Sequence, residues 1–195
     1  MPIPGYMETL STAQVAGPAL ASFTTAVSCL PTPARRTIAP DDWYLGKQLR
    51  ILACGGISNV VTAQPTFTFE FRLGPTSNIV AFTTGAFLCS TTAHTMTPWW
   101  LEILLTCRAI GSGTAANLMG QSKMVSRAFL DSGATADLVT SGHPALMGPE
   151  TAPAVVTGFD SNVANIADLF VACSASNAAN SVICQQYSLI DMGGG

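Results

Sequence analysis

An antiparallel β-sandwich of jelly-roll-like, all-β type, led by an extended N-terminal arm, is predicted for this 195-residue chain. Three observations predict it. Apolar and polar residues alternate with a period of two in stretch after stretch, Gly, Pro and Asn clusters punctuate those stretches, and helical periodicity is almost absent. The length suits one domain with a substantial core. The expected organisation is an arm over residues 1–18 and a single sandwich domain over residues 19–195.

The arm is read from Pro2, Pro4, Gly5, Gly17 and Pro18, which leave no sustained period. Met7, Leu10 and Val15 give it apolar groups to bury against something. The following LPTPARRTIAPDDWYLG is Pro-punctuated and reads as a loop or edge strand ending in a turn at Asp41-Asp42. In KQLRILACGGISNVVTA, Leu49, Ile51 and Ala53 share a face, and Gly55-Gly56 permits a bulge or bend. PTFTFEFRLG is the clearest strand: Phe67, Phe69, Phe71 and Leu73 alternate with Thr66, Thr68, Glu70 and Arg72, and Phe and Thr favour strands.

SNIVAFTTGAFLCSTTA supplies one or two strands around Gly85, and TPWWLEILLTCRA supplies a long one. In the long strand Trp99, Leu101, Ile103, Leu105 and Cys107 form one face and Trp100, Glu102, Leu104, Thr106 and Arg108 the other. The first set is the core face. Trp100 and Leu104 therefore point outward, and an indole carries roughly 150–250 Å² of area to shield from water. A loop of the same chain, a neighbouring subunit or a bound ligand such as a sugar would shield it. IGSGTAAN then makes a hairpin connection into a strand over residues 117–129, residues 131–158 read mostly as loop, and two strands near 167–174 and 181–190 close the chain.

Charged residues make up 10% of the chain against 48% hydrophobic, so much of the surface is either covered by partners or solvated by Ser, Thr, Asn and Gln. The net charge is −3 and no basic cluster exceeds Arg35-Arg36, which argues against direct nucleic-acid binding. No apolar run reaches the ~18 residues of a membrane span, and the N-terminus lacks a signal-peptide pattern, so neither membrane nor export is expected. The six cysteines form no CxxC or His-Cys cluster and read as buried small hydrophobes of a chain folded in a reducing cytosol. A bridge such as Cys173–Cys184 is compatible with the sequence but does not follow from spacing.

No catalytic, metal or cofactor site is read from the residues. His94 and His143 sit in loop-like sequence without a second ligand or acid at a useful spacing. GQSKM around Ser122 lies in strand pattern instead of a nucleophile elbow, and GSGTAA lacks the remaining parts of a phosphate loop. Glu70 and Glu102 face outward on strands, and sequence does not measure whether two such carboxylates meet as glycosidase pairs do. The chain is expected not to be an enzyme.

WYLGKQLRILACGGISNVVT, TPWWLEILLTCRAIGSGTAANLMGQSK and GFDSNVANIADLFVACSASNAANSVICQQYSL resemble, as a series over residues 43–130 and 152–190, small virion structural proteins of tailed double-stranded DNA bacteriophages. The resemblance implies a virion component made in the host cytoplasm. Decoration, or cement, proteins of such phages are often small sandwiches with terminal arms that sit as dimers or trimers on the outer capsid. The expectation is thus a homo-oligomeric decoration protein that binds the major capsid protein and stabilises its lattice without catalysis. Met7, Leu10, Val15, Trp100 and Leu104 are the interface residues inferred from strand parity. The alternative is a tail or fibre component, including a receptor- or sugar-binding knob.

Overall fold

The computed structural model describes residues 7–130 except 61 and 63, then 145–149 and 151–193. Twelve strands are present among them: β1 (Glu8–Thr12), β2 (Leu20–Ala21), β3 (Val27–Ser28), β4 (Arg36–Ile38), β5 (Gln48–Asn59), β6 (Thr66–Leu73), β7 (Ile79–Leu88), β8 (His94–Ala109), β9 (Asn117–Ser126), β10 (Ala145–Gly148), β11 (Asn165–Cys173) and β12 (Ser181–Asp191). Two 3-10 turns, Thr32–Ala34 and Pro40–Asp42, flank β4, each opened by proline. Asp42 closes the second by accepting the Ala39 N–H, so the expected Asp41-Asp42 turn forms.

Two antiparallel sheets pack face to face. The larger runs β1-β12-β5-β8-β9-β10, with β2 also on β12; the smaller runs β3-β11-β6-β7, with β4 on β11. The pairs β5·β12, β6·β11 and β8·β9 nest one inside another, first with last, as in a jelly-roll ribbon. The direct pairing of β5 with β8 widens the larger sheet and puts β8 at its centre.

Alternation places the core between the sheets. Phe67, Phe69 and Phe71 from β6 are wholly buried in one core cluster with Trp99, Leu101, Ile103 and Leu105 from β8. The Trp99 ring lies 5.2 Å from that of Phe69, within the range at which tilted aromatic pairs attract. Phe129, expected to end β9, instead bridges to Cys89 beyond the strand and packs its ring on Phe67 and Phe87.

Several local features differ from the sequence reading. His94 begins β8 because β5 continues past Gly55-Gly56 to Asn59 and offers it a ladder partner. β10 arises inside the stretch read as loop, pairing four residues with Ser122–Val125 of β9; so short a strand leaves no readable period. The bulge expected at Gly55-Gly56 lies across the ladder, where Gln185 is the extra residue of β12. Gly85 marks a bulge in β7 at φ +78°, and the Thr84 hydroxyl accepts the Phe69 N–H there.

Residues 8–21 run along one edge of β12. β1 pairs with Ser188–Asp191, the Ala13 and Gly17 N–H groups donate to the carbonyls of Tyr187 and Cys184, and β2 pairs with Ser181 and Val182. Residues 1–6 of the expected arm lie outside the described residues. Farther along, Ser28 and Arg35 tie the chain to β11: the Ser28 hydroxyl donates to Asp168 at 2.8 Å and Arg35 Nε lies 3.1 Å from the other carboxylate oxygen. Burial raises the Asp168 carboxyl above the ordinary range, and those two partners offset only part of that rise.

Candidate functional site

Strand parity determines what reaches the outer face of the larger sheet. One transverse row carries Gln186, Cys54, Trp100 and Val125; the next carries Ser188, Leu52, Glu102, Lys123 and Met147; a third carries Ile190, Arg50, Leu104 and Gln121. Trp99 is 2% exposed and Trp100 47% exposed, so the two indoles divide between core and surface as their alternation requires. Among the described residues nothing covers Trp100 or the 51%-exposed Leu104.

Trp100 stands at the wall of a cleft of about 560 Å³, whose other sides come from Gly55, Gly56, Met96, Gln185 and Arg127. On the far side of the indole a smaller recess of about 110 Å³ is lined by Leu52, Cys54, Gln186 and Ser188. Close packing of the protein itself requires the glycines. A Cβ on Gly55 would come within 1.9 Å of the Ile183 carbonyl oxygen, and one on Gly56 within 2.5 Å of Met96 Cε. Met96 itself is held at φ +49°, and its N–H donates to the Ser58 hydroxyl at 3.0 Å. A left-handed conformation at a non-glycine residue costs free energy, of order 1–3 kcal/mol, and such strain gathers at binding sites. Here it folds the thioether over Gly56.

Cys54 lies on the cleft with its thiol donating to Gln186 Oε1 at 3.4 Å. Burial, then the nearby Cys184, raise its thiol above the ordinary value. The other five cysteines are buried and all six are free. Cys184 lies beside Cys29: interaction with the Cys184 thiol, then burial, push the Cys29 thiol well up, while the two thiols donate to the carbonyls of Gln186 and Leu169 respectively.

The remaining sequence candidates are dispersed. Met7 and Val15 are exposed along the N-terminal edge, whereas Leu10 packs against the core. His94 stands 3.4 Å from the Thr97 hydroxyl through Nδ1, and its Nε2 is buried without a partner; His143 lies outside the described residues. Ser122 is buried, with its hydroxyl donating to the Gly148 carbonyl. Glu70 and Glu102 project from the outer faces of opposite sheets, each held by an arginine, Arg72 and Arg50 respectively. Separated by the sandwich, they do not form a pair across one bond. Among the described residues no three His, Cys, Asp or Glu side chains gather as a metal site requires. Of the cleft, sequence parity found Trp100; it missed Gly56, Met96 and Gln185, which come together only when β5, β8 and the bulge of β12 meet.

Fold and surface together define an antiparallel β-sandwich with an aromatic-walled cleft on the outer face of its larger sheet. No protein family matches the chain, and no curated protein matches it. Among solved structures it is similar to the CBM2 module of the evolved Dit protein of Lactobacillus casei BL23 phage J-1, at 8% identity and a TM-score of 0.37, with 99% of each chain covered.

Proposed function

We propose that this chain is a non-catalytic virion component of tail or fibre type that binds a sugar through the Trp100 cleft. The observation that carries the reading is the half-exposed indole at the wall of a cleft that it shares with Met96 and two glutamines. A pyranose has a face of C–H groups and a rim of hydroxyls. The indole offers a flat apolar surface for the first, and the Gln185 and Gln186 amides offer donors and acceptors for the second. Met96, folded over Gly56, closes another side of the cleft, giving a concave site with a few convergent polar groups. The virion setting is supported by the resemblance of the sequence segments to phage structural proteins.

Calorimetric titration of the intact protein against a broad oligosaccharide panel tests this reading. Trp100→Ala should weaken binding about tenfold or more, as truncated aromatic anchors commonly do. A panel without a single binder, or binding indifferent to Trp100, sinks it.

Decoration of the capsid is the second reading, and a specific observation favours it. Trp100, Leu104 and Met147 are exposed large apolar residues on one sheet face, and Met7 and Val15 are exposed near its edge. Such a surface suits burial against the major capsid protein or against copies of itself as a dimer or trimer. A reconstruction of the assembled particle separates the readings: density over the outer head supports decoration, and density confined to the tail eliminates it.

A further inference from the structure

Resting on the sugar-binding reading, we infer that the ligand is an anionic polysaccharide held along its chain, and not a terminal sugar held by its end. A second groove, of about 390 Å³, lies on the same sheet face and is lined by Leu104, Thr106, Arg108, Met119, Gln121 and Pro153. Both grooves are strung along β8, since Trp100, Leu104 and Thr106 share its outward parity and Arg108 follows them. At roughly 3.3 Å per residue, the step from Trp100 to Thr106 covers about 20 Å, the length of several linked pyranoses. Between the grooves Glu102 is held by Arg50 at 2.7 Å, with Lys123 directly opposite on β9. A chain crossing this face therefore meets an aromatic surface, a charged ridge and then a second apolar and amide surface.

Charge on the face selects the ligand. Each groove holds one exposed arginine, Arg127 in the first and Arg108 in the second. Among the described residues neither forms an ion pair, whereas Lys47, Arg35, Arg50 and Arg72 all do. Four cations, Arg50, Arg108, Lys123 and Arg127, thus share the face with the one carboxylate of Glu102 among the described residues, on a chain whose net charge is −3. A neutral glycan gains only hydrogen bonds to its hydroxyls from that concentration of positive charge. A polymer bearing a carboxylate or phosphodiester at each repeat gains at both grooves.

The test titrates the intact protein with di-, tetra- and octameric acidic ligands (oligogalacturonides, hyaluronan fragments, hexose oligomers linked by phosphodiesters) and with neutral gluco- and manno-oligosaccharides of matched length. Affinity for at least one acidic series should rise several-fold from two units to eight and fall several-fold between about 50 and about 300 mM salt, as exposed charge pairs are screened. Arg108→Gln should weaken the octamer while leaving the dimer unchanged, and Trp100→Ala should weaken both. Equal affinity for dimer and octamer, neutral ligands bound as tightly as acidic ones, or an inert Arg108→Gln each overturns the inference while leaving sugar binding intact. If no ligand of either charge binds, the sugar-binding reading falls with it.

Discussion

Two adjacent tryptophans in one strand have opposite duties, and substitution separates them. Trp99 fills the space beside Phe69 between the sheets. Trp99→Ala should cost about 3–5 kcal/mol of unfolding free energy, the usual penalty for emptying a large aromatic site in a core. Trp100→Ala removes a half-exposed ring and should change stability by less than about 1 kcal/mol. Urea unfolding of the two variants checks both; equal losses would mean that the outward face is covered in solution. Cys54 provides a second residue-scale test, because it alone of the six cysteines is not fully buried. Iodoacetamide on the folded protein should label Cys54 slowly, at a rate limited by its raised thiol, and leave the rest untouched. A ligand seated against Trp100 should slow that labelling further, as read by mass spectrometry.

At the scale of elements, the N-terminal segment is the edge of a sheet. β1, β2 and the residues between them satisfy the outer side of β12, and Leu10, Ala13 and Leu20 pack against the core. Deleting residues 1–18 strips the partners from the Tyr187 and Cys184 carbonyls and leaves a long edge strand open, a known route to self-association. The truncated chain should unfold at lower urea concentration and sediment as larger species. An unaltered unfolding midpoint would mean that the segment is held for attachment alone. Sequence patterning showed the segment to be extended and partly apolar. It did not show the partner, because a strand that pairs along one side only, broken by Gly17 and Pro18, has no period of its own.

Across the whole molecule, global stability should carry the mark of Asp168. Its carboxyl is raised in the folded protein, so the native state holds this proton more tightly than the unfolded chain does. The corresponding contribution is fully present below the unfolded value, about 3.9, and is lost as pH rises through the higher folded value. Other carboxylates add their own dependence, so the informative quantity is the difference between wild type and Asp168→Asn. Wild type should lose stability relative to this variant as pH climbs from the ordinary carboxylate range toward neutrality, measured as unfolding midpoints across a pH series. A constant difference would mean that Arg35 and Ser28 offset burial completely.

The all-β class, the parity of β6 and β8, the hairpin at Gly111–Gly113 and the opposite duties of Trp99 and Trp100 were determined by sequence alone. Each depends on neighbours along the chain and on the two-residue repeat of an extended backbone. Tertiary structure decided which strands pair, that Glu70 and Glu102 stand on opposite sides of the sandwich, and that Cys184 meets Cys29. It alone assembled the cleft, because Gly56, Trp100, Arg127 and Gln185 come from four strands or strand ends that are distant in sequence. Those residues become neighbours through ladder register, and register depends on the match between two strands, which alternation within either one does not contain.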